Sequence, residues 1–421
     1  MSGQMERITT LDVTRGVAVM GIFSVNVVAM AMIKMAYFYP PAFGFDGMAD
    51  KLMWLGNFLL IDGKMRSLFS MLFGASTLLV IERAVAAGRS PARTHYARMI
   101  VLMLFGLAHF ALLWWGDILT HYAFVGMIAF LFWKLRARTL TIIAVVGFLL
   151  YAGPSIGFGI EGTRTYDAVA AGRATPEMIK RHAAMEQRFH PDAAAIAADR
   201  AEHQTIATRV AAVFEDGPRG LIEPLDIGPL MIETLSLMLL GMAGYKSGFL
   251  TGQWSDERYR RVAAWGLGIG LAVYGAMAAY TWAEGFRAPE HMGAYGGYST
   301  LARPLMASGY AAAIILAARR GGWLSQRLAA VGRTAFTNYL GCTIIGTIVF
   351  FGFGGGLYGE VSRAQAWLLV PPVWLVMLAW SKPWLERFHY GPFEWLWRSM
   401  ARGRLQPMRK ERPGGAVEAV A

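Results

Sequence analysis

Of 421 residues only Cys342 is a cysteine, so no internal disulfide can form. Charge is scarce as well: Asp, Glu, Lys and Arg make up 16% of the chain, against roughly 25% in an ordinary soluble domain. The motifs that mark soluble enzymes are missing too, with no G-x-x-x-x-G-K-[ST] phosphate loop, no G-x-S-x-G elbow, no H-E-x-x-H and no cysteine pair. The glycine-rich "GFGGGLYG" only closes an apolar run, with no helix after it of the kind a dinucleotide loop needs. Residues 1–15 lack the basic start, apolar core and small-residue cleavage site of a secretory leader, so the first apolar run is expected to stay as an anchor.

What is abundant is apolar surface: 55% of residues are hydrophobic and the mean hydropathy is +0.39. Apolar runs fall near 16–36, 67–84, 98–115, 118–134, 138–158, 229–249, 262–283, 303–318, 335–353 and 365–381, each read as a crossing of about 30 Å of hydrocarbon. The expected fold is therefore all-α, a polytopic integral membrane helix bundle of about ten transmembrane helices whose partner is the lipid bilayer. Arg and Lys crowd alternate loops, with Arg83, Arg89 and Arg93 in one, Lys134, Arg136 and Arg138 in the next, then Arg258, Arg260 and Arg261, then Arg319, Arg320 and Arg327; the tail from Lys382 to Arg412 is basic as well. The opposite loops "WWGDILTH" and "GGGLYGEVSRA" hold almost none, so both termini are expected in the cytoplasm of a bacterial inner membrane. Cytoplasmic basic loops and anionic headgroups account for the net charge of +12 without nucleic acid.

The chain divides into a first five-span half (1–158), a polar insertion outside the cytoplasm (159–228), a second five-span half (229–404) and a disordered tail (405–421). The insertion is either a lid or a packed spacer. Its His182, His190 and His203, spaced eight and thirteen apart, match no compact zinc pattern, and no metal is expected. A homodimer stays open.

"RITTLDVTRGVAVMGIFSVN", "IDGKMRSLFSMLFGAS", "GLAHFALLWWGDILTHYAFVG", "GRTAFTNYL", "YGEVSRAQAWLL" and "FHYGPFEWLWRSM" resemble the YeiB family of bacterial inner-membrane proteins, a domain of unknown function, over about Arg7 to Arg404. That family in turn resembles membrane acyltransferases, among them sugar O-acetylases and the heparan glucosaminide N-acetyltransferase. The resemblance implies transfer of an acyl group from a cytoplasmic thioester such as acyl-CoA, used as substrate rather than as a tightly bound cofactor, to an envelope lipid or sugar. In the O-acetylases the "LD…RG" helix ends in a histidine thought to act as base; here that position is Asn26, whose amide cannot take a proton. The glucosaminide branch also has asparagine there and takes its histidine from the following loop, which in this chain has none.

Candidate residues follow from polar side chains inside apolar runs, which are costly unless they face protein, water or a substrate path. Asp12 and Arg15 are spaced to pair at the cytoplasmic mouth, or Arg15 snorkels to the headgroups. Arg15 and Asn26 lie within about 20° of one another and about 16 Å apart along an ideal helix, so both are expected to line one cavity. His109 with Asp117 is the expected acid–base pair, although Asp117 also suits a helix cap. Lys64, Arg66, His121, Glu233, Asn338 and Tyr339 are the remaining candidates for substrate binding. The alternative to acyl transfer is a proton-coupled transporter or permease of a small solute, in which His109, Asp117 and Glu233 relay protons; a scaffold without turnover is a third reading.

Overall fold

The computed structural model describes residues 9–410, apart from 216, 218, 219, 221–223 and 225–227. These residues form helices and, among them, no strand. The first half holds α1 (Thr9–Ala31), α2 (Lys34–Phe38), α3 (Met48–Leu60), α4 (Lys64–Ala86), α5 (Pro91–Leu112), α6 (Leu119–Ala129) and α7 (Ala137–Ala170). Three polar helices follow, α8 (Pro176–Phe189), α9 (Ala193–Glu202) and α10 (Ile206–Val213). The second half holds α11 (Gly228–Lys246), α12 (Asp256–Ala283), α13 (Ala288–Met292), α14 (Ala302–Arg319), α15 (Trp323–Arg333), α16 (Ala335–Phe350), α17 (Arg363–Trp367), α18 (Val370–Arg387) and α19 (Pro392–Arg402). Several starts are written in the sequence: Ser90, Thr175, Asp192, Thr205 and Ser255 each accept a hydrogen bond from a first-turn amide, which satisfies a donor the helix cannot.

Seven helical runs among the described residues are long and apolar enough to cross a bilayer: α1, Met48–Ala86, α5, α7, α11, α12 and Arg363–Arg387. An eighth is bent, with Ala288–Tyr298 and Ala302–Arg319 meeting at 58°. The other two expected crossings, Leu119–Phe132 and Ala335–Phe350, are shorter apolar helices; at 1.5 Å per residue neither covers about 30 Å. The ten expected crossings are thus seven full-length helical runs, one bent pair and two short helices. α6 starts only after the Gly116–Asp117 turn, and α16 is cut off by Thr334 at one end and the glycine-rich Gly352–Gly356 turn at the other. Around the bundle α5, α7, α12 and α18 present bare apolar side chains, such as Leu104, Leu149, Leu150, Trp265 and Leu375, a face suited to lipid.

Two apolar cores meet at α1. One joins it to α5, α6, α16 and α18 through Val19, Phe23, Met99, Leu102, Leu340 and Val373. The other joins it to α4, α7, α11 and α14 through Leu11, Leu68, Leu72, Ala144, Leu237 and Ala311. A helix that is apolar all round belongs in the middle. α1 and α15 cross where Gly16 meets Gly332: a Cβ on Gly16 would lie 2.1 Å from the Leu328 carbonyl oxygen, and one on Gly332 would lie 1.8 Å from that of Asp12. Gly332→Val should force this crossing apart and lower the thermal unfolding midpoint in detergent, at a cost of about 1–3 kcal/mol, with Gly332→Ala intermediate. An unshifted midpoint would refute the close contact.

The expected boundary at 158/159 falls inside α7, which runs 34 residues to Ala170. At about 51 Å it outreaches the hydrocarbon and carries the chain out into the insertion. The insertion is fastened down. Arg209 donates to the Phe110 carbonyl at 3.0 Å and pairs with Glu202, and Lys34 reaches Glu202 at 2.7 Å. Asp199 accepts from the Lys34 amide at 2.9 Å and the Tyr358 hydroxyl at 2.7 Å, while His203 stacks on Tyr358 with centroids 4.0 Å apart. Burial pushes the Asp199 carboxyl up, but bonds from His203, Tyr358 and the Lys34 amide more than offset it and hold it below the usual carboxylate value. A depressed folded-state value stabilises the docked insertion above the unfolded value of about 3.9 and is lost as pH falls through the lower, folded one. Pepsin should therefore cut within 175–213 faster at about pH 2.5 than its own pH dependence explains, and Asp199→Asn should remove that excess; an excess that survives the substitution would assign the release to other acids.

The chain's end also departs from expectation. Residues 405–410 are not loose: the Trp395 indole donates to the Gln406 carbonyl at 2.7 Å, and Phe388 bridges to Arg409. Residues 411–421 of the expected disordered tail lie outside the described residues. α19 docks on the bundle, with Trp397 donating to the Arg98 carbonyl at 2.8 Å. Its Glu394 accepts from the Phe336 amide at 2.7 Å and the Thr337 amide at 3.1 Å, capping the start of α16.

Candidate functional site

Gly116 and Asp117 end the short turn after α5, and Asp117 caps α6, its two oxygens accepting from the Leu119 amide at 3.1 Å and the Thr120 amide at 2.8 Å. The same carboxylate meets His109 Nδ1 at 3.0 Å. Capping and partnering are therefore one arrangement. A carboxylate facing Nδ1 favours a proton on that nitrogen, and Nε2 lies 3.0 Å from the Thr343 hydroxyl on α16, from which a neutral ring accepts. His109 and Asp117 are both buried. Trp114 belongs to the core: it is 2% exposed and donates to the Ala29 carbonyl.

Thr343 borders a cavity of about 10 Å3, room for one water. Val19, Phe23, Asn26, Met30, Tyr339 and Cys342 also line it. Asn26 makes no hydrogen bond to a described residue, so its amide is available there. Tyr339 lies with its ring 5.4 Å from that of His109, and its buried hydroxyl has no partner. The expectation that Arg15 shares this cavity is overturned. Arg15 bonds to Asp12 at 3.2 Å, Ser76 at 2.7 Å and the Gly332 carbonyl at 3.4 Å. These contacts lie at the opposite end of α1, and apolar Val19, Ile22 and Phe23 fill the stripe between. Asn338 is engaged as well: its NH2 group lies within hydrogen-bond reach of the Val331 carbonyl, Thr334 and Ser381 and its carbonyl accepts from Trp380, so it knits α15, α16 and α18 together and its two N–H donors are spent.

A second polar centre lies at the same end of the bundle as Asn26. Glu233, 0% exposed, is gripped by Arg66 at 2.5 Å and Arg303 at 2.6 Å. Arg303 also donates to Ser299 and the Tyr295 carbonyl, and it lies against Gly63, whose φ of +72° and missing Cβ leave it room. Lys64, expected to be open to a ligand, is instead fully buried: its ammonium donates to the Phe58 carbonyl and sits 3.0 Å from the Tyr274 ring centroid. His121 does not join Asp117 in a bond; its Nε2 meets Thr234 at 2.9 Å and its Nδ1 is buried without a partner. Among the described residues no group of three His, Cys, Asp or Glu side chains could hold a metal ion. Sequence reasoning passed over Thr343, Arg303, Asp62 and Arg363. Arg303 carried a visible signal, a charge at the head of an apolar run; Thr343 carried none, since a threonine inside a span is ordinary.

The family described as Protein of unknown function (DUF418) matches residues 244–404, from the end of α11 through α19. "Uncharacterized protein YxaH" of Bacillus subtilis (strain 168) is 31% identical over 414 residues, covering 96% of this chain and 97% of its own. "Uncharacterized protein YeiB" of Escherichia coli (strain K12) is also 31% identical over 414 residues, covering 94% and 96%. With likeness running nearly end to end and the second half matching DUF418, this chain belongs to the YeiB family.

Proposed function

We propose that the protein is a membrane acyltransferase of the bacterial inner membrane, taking an acyl group from a cytoplasmic acyl-CoA-like thioester to a hydroxyl or amine of an envelope lipid or sugar. The observation that carries this reading is the line Asp117–His109–Thr343, which ends on the one-water cavity where Asn26 offers an unspent amide; in this reading the cavity widens to admit the acceptor and the thioester carbonyl. Asp117 fixes the ring so that Nε2 is the base; Thr343 passes the acceptor's proton to Nε2 while the acceptor oxygen or nitrogen attacks the thioester carbonyl, and the tetrahedral intermediate then collapses with cleavage of the C–S bond, the imidazolium returning the proton through Thr343 to the departing thiolate. The Asn26 N–H groups suit the oxygen on which charge grows in the transition state. Asparagine at the position where relatives keep a histidine is then a donor to an oxyanion, and the base comes from α5.

Orientation belongs to the same reading, with both termini cytoplasmic and the insertion outside. Reporter fusions after Arg89 and after Lys410 should read cytoplasmic, and one within 175–205 periplasmic. The decisive assay is consumption of acetyl-CoA or a longer thioester by purified protein given envelope lipids and sugars. If no thioester is bound or consumed, the second reading takes over: His109, Asp117 and Glu233 are buried polar groups of the bundle that suit a proton-coupled transporter.

A further inference from the structure

The turn between α3 and α4 carries Asp62, and its carboxylate makes no hydrogen bond or ion pair with any described residue, although Lys64, Arg303, Arg363 and Arg66 all act on it electrostatically. The acid thus stands among four basic side chains and closes onto none of them in a salt bridge. The cluster is not sealed from solvent. Arg66 keeps 24% of its side chain accessible, although the Glu233 to which it bonds has none. Asp62, Tyr37 and Tyr295 are likewise only half-buried, with Tyr37 and Tyr295 within reach of each other and of Asp62.

Basic side chains outnumber the acids around the cluster: Lys64, Arg66, Arg303 and Arg363 stand against Asp62, Glu233 and Asp50, and Asp50 is further held by the Ala364 and Gly47 amides. Donors are also left over: Arg66 Nη1 and Arg363 Nε are buried with no partner, and Arg363 gives Nη2 to the Ala36 carbonyl. Guanidinium groups with unspent N–H in a place of excess positive charge match an oxyanion, which they grip through paired bonds. A bare phosphate would also face the Asp62 carboxylate, which accepts but cannot donate. A phosphate that carries a neighbouring hydroxyl turns that repulsion into a hydrogen bond.

We infer that this cluster binds the phosphate of a hydroxylated phosphate ester, with Arg66 and Arg363 on the phosphate oxygens and Asp62 accepting from the adjacent hydroxyl. Such a group exists free, as glycerol 3-phosphate, and as a lipid headgroup, as in phosphatidylglycerol. The site does not depend on acyl transfer.

The test is thermal unfolding of the purified full chain. In neutral detergent, glycerol 3-phosphate should raise the midpoint at concentrations about tenfold below those at which inorganic phosphate does. Asp62→Asn should erase that preference, because the repulsion and the hydroxyl's partner disappear together. Arg363→Gln should weaken both probes about tenfold. In nanodiscs, a rise with phosphatidylglycerol over phosphatidylcholine that Asp62→Asn abolishes, without any effect of the soluble ester, would assign the headgroup as the source. Absence of a shift with every probe would overturn the inference, as would shifts that Asp62→Asn leaves unchanged. Asp62 takes part in no ion pair, so this variant should fold even if Arg363→Gln does not, and it decides alone in that event.

Discussion

His109→Ala should lower thioester-dependent acyl transfer about 10²–10⁴-fold, the usual worth of a positioned general base. The loss should fall on kcat, with the KM for thioester little changed, since His109 lies behind Thr343 and does not line the cavity. Folding should survive. Without the ring, Asp117 keeps the Leu119 and Thr120 amides, and the Thr343 hydroxyl still has the Tyr339 carbonyl at 3.4 Å. Thr343→Val should match the histidine variant, whereas Thr343→Ser should restore most of the rate because the relay needs only a hydroxyl. The limb of the pH–rate profile that reports the imidazole should vanish in His109→Ala, a change that mere loosening would not produce. Turnover untouched by His109→Ala would end the base assignment and send the search to proton flux in proteoliposomes.

Glu233→Ala should be among the most damaging single changes for folding. The carboxylate holds two guanidinium groups from α4 and α14 at 2.5 and 2.6 Å and is itself 0% exposed. Removing one member of a buried ionic group leaves the others desolvated and uncompensated, which costs about 3–5 kcal/mol. Removing more members together is often milder, because the penalty lies in the unpaired charge. Glu233→Ala should therefore abolish or sharply lower the yield of folded protein, whereas Glu233→Gln combined with Arg66→Met should recover part of it. A single variant as stable as wild type in detergent unfolding would mean that water reaches the arginines freely.

The bundle was legible because its solvent is: runs of apolar residues and alternating basic loops follow from the bilayer alone. Lengths were harder. Leu119–Phe132 and Ala335–Phe350 read as crossings since hydropathy does not register where a turn such as Gly116–Asp117 or Gly352–Gly356 cuts the helix. The His109–Asp117 pair could be read locally, eight residues apart around one turn. Thr343, 234 residues away, could not, since only tertiary packing of α5 on α16 brings it in. Arg15 and Asn26 misled for the opposite reason: a helical wheel reports direction, not what fills the stripe between two positions. Lys64 and Arg66 look alike in sequence, yet one ends on a backbone carbonyl and an aromatic face and the other on an acid of the adjacent α11.

The carboxylate of Glu394 has a consequence for the order of synthesis. It caps the helix that carries Thr343, yet it is encoded 58 residues after Phe336. At roughly 5–20 residues per second, α16 waits several seconds after translation, already threaded among its neighbours, before its first amides receive their acceptor. A chain released early, anywhere between Phe350 and Pro392, would carry every side chain assigned to the transfer chemistry and still start α16 uncapped. The start of α16 thus receives its cap only after α19 has been made.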